Sequence, residues 1–461
     1  HGTFSIDKPL KTFGRIGDRA RFQGQYFSDK APGTGLMGSV IYRIAKFIHG
    51  DEEWTMAELL RLFRRGLVLP FALMGFIWLR RSLALYRIPV FAVEWVSWSW
   101  LLGSVAFHYS GAFFGHQIAA SLLIGSLFYL KRAALNSSAT GILMSGLLSG
   151  AAVMTEYPAA IGVFFIGVYG LLNRTLWNRQ IVQWCVGGLP FAILLGFYHQ
   201  RCFGHPLSLP YEHLAAATYR KIHGAGIAGV TGPEFKAFQL WFLSLRRGLL
   251  SSSPFFLLSV FGVLQQWKID RGSAVAYSLL ITATVLFASS AHIWGGDWGY
   301  GPRIIVFIIG LLSIPVAFGV QALRDRPVLL TIAFTLMLYG ILNHQFVHFI
   351  FPEPWAKFSN PVADLLITVR EQALFSPNLA SVYLGIHGVW SASPLLILLV
   401  PCFILLFRQS GTRANWVIPA ASLLALAAFW YVASHTDTSA SHHQKWTELL
   451  ELWSSREHQY H

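Results

Sequence analysis

Twelve stretches of the chain are apolar over roughly 17 to 22 residues each, about the length a helix needs to cross the hydrocarbon core of a bilayer. They lie near 60–80, 88–107, 113–131, 139–155, 157–173, 182–199, 249–266, 273–291, 303–323, 328–350, 391–408 and 415–433. A chain built this way must satisfy its backbone polar groups inside each segment, which in lipid leaves the helix as the solution. Composition agrees: 54% of residues are hydrophobic and 12% charged, about half the charge of a soluble domain. The expected fold is all-α and polytopic. "TEYP" divides the closely spaced fourth and fifth spans, where Pro158 sets a helix boundary.

The formal charge of +14 follows from loop placement rather than from nucleic-acid binding. Arg80, Arg81, Arg87, Lys131, Arg132, Arg174, Arg179, Lys268, Arg271, Arg324, Arg326, Arg408 and Arg413 fall on alternate short connectors, opposed there only by Asp270 and Asp325. Those connectors read as cytoplasmic. The other loops, 1–59, 108–112, 156, 200–248, 292–302, 351–390 and the polar tail from 434, are expected outside. This divides the chain into a first loop (1–59) with interfacial helices, a bundle (60–433) and a tail (434–461). The opening residue His1 follows no apolar segment, so a first helix is expected upstream. Cys185, Cys202 and Cys402 are scattered and form no disulfide framework or metal site. Zinc spacings, Walker loops and dinucleotide fingerprints are absent, which argues against a nucleotide-driven pump or a nucleotide-sugar enzyme.

The long outer loops carry the unusual chemistry. The first contains Asp7, Asp18 and Asp29 among six basic residues, and Asp29 and Lys30 fall in "FQGQYFSDKAPGTGL" (22–36). Pro32 and Gly33 form a turn that holds Lys30 in one place, and a fixed ammonium suits a phosphate. "HIWGGDWGYGPR" (292–303) interleaves glycines with aromatic faces suited to a sugar, and Asp297 accepts from hydroxyls beside Trp298 and Tyr300. Arg303 is either a snorkelling side chain or a phosphate ligand. "LSLRRGLLSSSP" places Arg246 and Arg247 at an outer membrane entry, against the charge trend, as a phosphorylated lipid would explain. "GHPLSLPYEH" adds Tyr211, Glu212 and His213. Glu156 and Tyr157 sit at a helix break, where the carboxylate faces either the interface or a cavity.

Taken together, "GTFSID…GQYFSDKAPG", "FFGHQIAASLL", "TEYPAA", "LSLRRGLLSSSP", "GGDWGYGPR" and "NPVADLL…NLASVYLGIHG" resemble bacterial GT-C glycosyltransferases. The likeness is to the protein-mannosyltransferase-like branch related to the aminoarabinose transferase of lipid A modification. The resemblance implies a transferase in the bacterial inner membrane that uses a polyprenyl-phosphate-linked sugar on the extracytoplasmic side. It implies about twelve visible helices plus one upstream. Lys30 matches the lysine that holds the lipid phosphate, with Arg303 and Arg247 as further phosphate ligands. Tyr26, Asp29, Glu156, Tyr157, Tyr211, His213, Asp297, Trp298 and Tyr300 are the expected substrate-binding residues. Many relatives carry an Asp-Glu pair after their first span; here the base is expected at Asp7, then at Asp18. Some relatives use a divalent metal, although no ligand cluster compels one in this sequence. The acceptor is a protein, lipid or glycan.

Two other readings share the sequence. A lipid or solute transporter would place charges at mid-membrane depth, whereas the spans here are nearly charge-free in their middles. A non-catalytic GT-C-like scaffold, partnered within a membrane complex, would account for the missing acidic pair.

Overall fold

The computed structural model describes residues 3–14, 16–50, 54–226, 229–291, 299–351, 354, 357–372, 379–393, 416–434 and 444–448. Helix α1 (Asp7–Phe13) leads into a two-stranded antiparallel hairpin, β1 (Arg19–Phe22) and β2 (Gln25–Ser28), and then into α2 (Gly33–His49). Thr55 caps α3 (Met56–Phe63) through a reciprocal capping box with Glu58. A π-helical turn at Arg64–Val68 then joins α3 to α4 (Leu69–Leu85) without a break. The bundle continues through α5 (Val90–Leu102), α6 (Val105–Ser110), α7 (Gly115–Asn136), α8 (Ala139–Thr155), α9 (Ala159–Leu172) and α10 (Arg179–Phe203). Short helices α11 (Ala217–His223), α12 (Phe235–Phe238) and α13 (Leu249–Ser252) occupy the next connection. They are followed by α14 (Leu258–Gln266), α15 (Arg271–Ser290), α16 (Val306–Ala322) and α17 (Pro327–Ile350). Last come α18 (Pro361–Gln372), α19 (Leu379–Tyr383) and α20 (Val417–Ser434).

Among the described residues seven helices are long and apolar enough to cross a membrane, and four shorter apolar helices accompany them. The protein is therefore a helical, membrane-embedded one. Helix α16 is the hub: it packs against α5, α7 and α14, and 89% of its most apolar window is buried inside the protein. Helix α10 is the opposite case, with 11% of its window buried. It turns Val182, Val186, Leu189, Ile193 and Phe197 outward, a surface that lipid and not water can cover.

Close backbone approach sets the crossing of α8 and α10. A Cβ added at Gly146 would lie 1.9 Å from the Trp184 carbonyl oxygen, and one at Gly187 would lie 2.2 Å from that of Leu143. Small residues at such spacing let helices meet without the hydrophobic drive that water would supply. Polar contacts tie α8 to its other neighbour: Ser126 of α7 reaches Ser145 Oγ at 2.9 Å and Ser149 Oγ at 2.8 Å.

Three expected spans differ from single helices. The 88–107 run divides at Gly103, and Ser104 restarts the chain by accepting from the Ala106 amide at 3.2 Å. The 249–266 run divides at Ser253, because Pro254 carries no amide proton and opens a 3₁₀ turn, Pro254–Leu257. The described start of the 391–408 run ends a 3₁₀ turn, Gly388–Ala392, and 394–408 lies outside the described residues.

Candidate functional site

The first loop is folded onto the end of α10. Ala20 and Phe27 of the hairpin pack with Tyr198, Cys202 and Phe203, and the Ala215 amide donates to the Arg19 carbonyl at 2.9 Å. Asp7 braces this unit. Its Oδ1 accepts the Tyr26 amide at 3.1 Å and its Oδ2 accepts the Ser5 hydroxyl at 2.5 Å. Both carboxylate oxygens are thus engaged in holding α1 to β2, a structural task that the sequence alone does not reveal. Tyr26 lies beneath two guanidiniums, Arg19 at 4.8 Å and Arg21 at 5.7 Å from its ring centre.

The hairpin delivers Lys30. Its Nζ stands 3.4 Å from Asp18 Oδ2 and 3.4 Å from Asp29 Oδ1. Asp29 is buried while the Lys30 and Asp18 side chains are more than half exposed, at 58% and 55%. Burial raises the Asp29 carboxyl above its ordinary value, with Lys30 pulling it down and Asp18 pushing it up. Burial works to lower Lys30, but Asp29 and Asp18 outweigh it and hold the ammonium above the usual lysine value, while Arg303 opposes them. Arg303, at the start of the Arg303–Ala322 span, therefore belongs to the same electrostatic neighbourhood.

What fixes the turn after Lys30 is not only Pro32. A Cβ on Gly33 would fall 2.7 Å from the Met154 carbonyl oxygen and 2.9 Å from the Thr155 Cα, so the first turn of α2 rests directly on the end of α8. That contact brings the hairpin to the break between α8 and α9, where Glu156 and Tyr157 lie. A Cβ on Gly115, the first residue of α7, would meet Glu156 Oε1 at 2.6 Å and Thr34 Oγ1 at 2.8 Å. Glu156 Oε1 is 3.1 Å from His116 Nδ1, each side chain 21% exposed. The His116 ring stands edge-on to Tyr109 at 4.9 Å and parallel to Phe114 at 5.8 Å.

Two phenols, Tyr157 and Tyr211, belong to the same neighbourhood. Tyr157 bonds His199 Nε2 at 2.9 Å, and His199 Nδ1 faces the Pro206 carbonyl at 3.1 Å. Tyr211 meets Tyr157 edge-on at 5.9 Å and stacks on His223 at 4.8 Å. Burial raises both phenols; Tyr211 is raised further by Glu156, Asp29 and Asp18, and Tyr157 by Tyr198, Tyr211, Cys202 and Asp29. Tyr211 thus senses the Lys30 carboxylates and Glu156 together, so one region holds all of them. His213 is placed otherwise: it stacks on Phe203 of α10 at 5.1 Å, meets Phe22 of the hairpin edge-on at 5.0 Å and shares a 2.9 Å hydrogen bond with Ser208.

Arg247 and Tyr300 join a second, buried group. A Cβ on Gly299 would stand 3.4 Å from Arg247 Nη1, and Tyr300 meets the His344 ring at 5.2 Å. Ser253 bonds His344 Nε2 at 3.0 Å, and His108 faces His348 at 5.9 Å. Burial first, then His348, His344, Arg247 and Arg64, lower the His108 imidazole to about 3. Asp297 and Trp298 lie outside the described residues. Among the described residues no trio of His, Cys, Asp or Glu side chains is grouped to hold a metal ion, and no step below runs through one.

His116 is the site residue that sequence reasoning missed. It sits inside the quoted "FFGHQIAASLL", but a lone histidine opening an apolar helix gives no signal until its partner, forty residues away, is known. Chemically, the region brings together an ammonium, Lys30, with Arg303 in its electrostatic reach, a carboxylate–imidazole contact and two phenols. No family model matches the chain, and no curated protein matches it.

Proposed function

We propose that this protein is an integral-membrane glycosyltransferase of the GT-C kind, with about twelve spans in the sequence. It transfers a sugar from a polyprenyl-phosphate donor to an acceptor hydroxyl on the extracytoplasmic side of a bacterial inner membrane. The observation that carries this reading is Lys30, held at 3.4 Å from both Asp18 and Asp29 with Arg303 beside it. A lysine fixed in that way at the edge of an apolar bundle suits a phosphate whose tail lies in lipid. The order of the sequence motifs points to the same class.

In this reaction the acceptor oxygen attacks the anomeric carbon as the bond to the lipid phosphate breaks, and the phosphate oxygen keeps the bonding electrons. Lys30 and Arg303 stabilise that growing charge without having to reorganise. The protonated Tyr157 and Tyr211 hydroxyls supply polar contacts along the sugar. Asp29 and Asp18 serve as counter-ions that set the Lys30 position, and Asp7 secures the hairpin carrying it.

The test is binding and turnover with purified protein. Polyprenyl phosphate should bind wild type saturably, and Lys30→Ala should weaken binding about 10- to 100-fold, the scale of a lost charge-assisted hydrogen bond. Lys30→Ala should also abolish transfer of label from lipid-linked sugars extracted from the host membrane. Unchanged binding in Lys30→Ala would remove the phosphate assignment. No turnover of the extracted pool by wild type would remove the enzyme and favour the scaffold.

A further inference from the structure

We propose that His116 is the general base of this site and that Glu156 is the residue that positions it. The assignment rests on the transferase reading given above.

Three observations carry it. The other acidic candidates are already engaged: Asp7 through both oxygens with Ser5 and the Tyr26 amide, Asp18 and Asp29 with Lys30. A carboxylate sharing its charge with the ammonium that grips the phosphate is poorly suited to taking a proton at the same moment. Second, Glu156 Oε1 stands 3.1 Å from Nδ1 of His116, close enough to orient the ring and to stabilise a positive charge that forms on it. The His116 side chain keeps 21% of its surface exposed, so part of the ring is within reach of a substrate. An imidazole base with a carboxylate beside its other nitrogen is the arrangement that activates a hydroxyl. Third, packing ties the pair to α2, the helix that follows Lys30 in the chain. Gly115 admits no side chain because Glu156 and Thr34 crowd it, and Thr34 belongs to the first turn of α2, immediately after Lys30 and its turn.

The step balances simply. His116 Nε2 takes the hydroxyl proton as the acceptor oxygen bonds to the anomeric carbon, and the sugar–phosphate bond breaks with its electron pair left on the phosphate. Glu156 stabilises the resulting imidazolium, which then gives its proton to solvent. Lys30 and Arg303 act on the leaving side, so the two charges that develop are met by two separate pairs of residues.

The experiment compares wild type, His116→Ala, His116→Gln and Glu156→Gln. Donors are labelled lipid-linked sugars extracted from the host membrane, and binding of polyprenyl phosphate is measured in parallel. His116→Ala should lower kcat by about 10²- to 10⁴-fold with lipid binding retained, and added imidazole should restore part of the rate. Glu156→Gln should lower kcat with little change in KM, and imidazole should not rescue it. His116→Gln, which keeps a polar contact to Glu156, should bind lipid as wild type does and remain slow. His116→Ala or His116→Gln turning over within twofold of wild type would overturn the base while leaving the transferase. Loss of lipid binding in both His116 variants without imidazole rescue would make the residue structural and overturn the proposal too. Failure of wild type to turn over the extracted pool would overturn the transferase reading and this assignment with it.

Discussion

His108 shows how one buried side chain ties stability to pH. Its imidazole sits near 3 because burial and the surrounding His348, His344, Arg247 and Arg64 disfavour its charge. The unfolded chain binds that proton near 6.5, so the folded form binds fewer protons between the two values. Stability is then complete above about pH 6.5 and declines as pH falls toward 3. At pH 5 the loss is roughly 2 kcal/mol, from about 1.4 kcal/mol per pH unit. Thermal unfolding in detergent should show a midpoint that falls between pH 7 and 5, with a shallower slope in His108→Gln. Equal slopes would mean that His108 takes up its proton alike in the folded and unfolded forms. At this scale the sequence was legible where a residue was out of place for its surroundings. Lys30 and Asp29 stand out beside a rigid turn in an apolar chain, and they do meet. The tie from Asp7 to the Tyr26 amide and the pairing of His116 with Glu156 do not stand out, because they depend on positions that come from folding and not from spacing.

Among the elements, apolar length predicted the positions of most helices, since hydrocarbon thickness leaves little freedom in how long a run must be. It did not predict the breaks at Gly103 and Ser253, where local capping and a missing amide divide a run of uniform hydropathy. Nor did it show which helices touch. The α8–α10 seam depends on glycines that look unremarkable in sequence, yet Gly146 and Gly187 leave no room for a side chain. Gly146→Leu should force these helices apart and cost several kcal/mol, at or above the usual 1–3 kcal/mol of overpacking. The measurement is the detergent-resistant unfolding midpoint, with Gly167→Leu as control, because the nearest neighbour of a Cβ there is the Trp184 ring at 3.6 Å. Equal effects at the two positions would show that the seam is not tight.

For the molecule as a whole, the division between buried and outward apolar surface is the informative quantity. Helix α16 is enclosed by its neighbours, while α10 presents a long hydrocarbon face to its surroundings. Ile193→Arg on that face should reduce membrane insertion of the segment by about 2.5 to 3.5 kcal/mol if it lies at mid-depth. A lipid-soluble photoreactive probe should label α10 and leave α16 nearly unlabelled. Comparable labelling of both would contradict the packing order.

The seating of Gly33 on Met154 and Thr155 has a consequence for how this site is inherited. The lysine belongs to one stretch of chain and the surface that gives it coordinates belongs to another, more than a hundred residues later. Transplanting the hairpin into a different bundle would carry the charge but not its address. Residues 17–36 and 154–156 form one module written in two places, and an exchange between related chains succeeds only when both halves travel together.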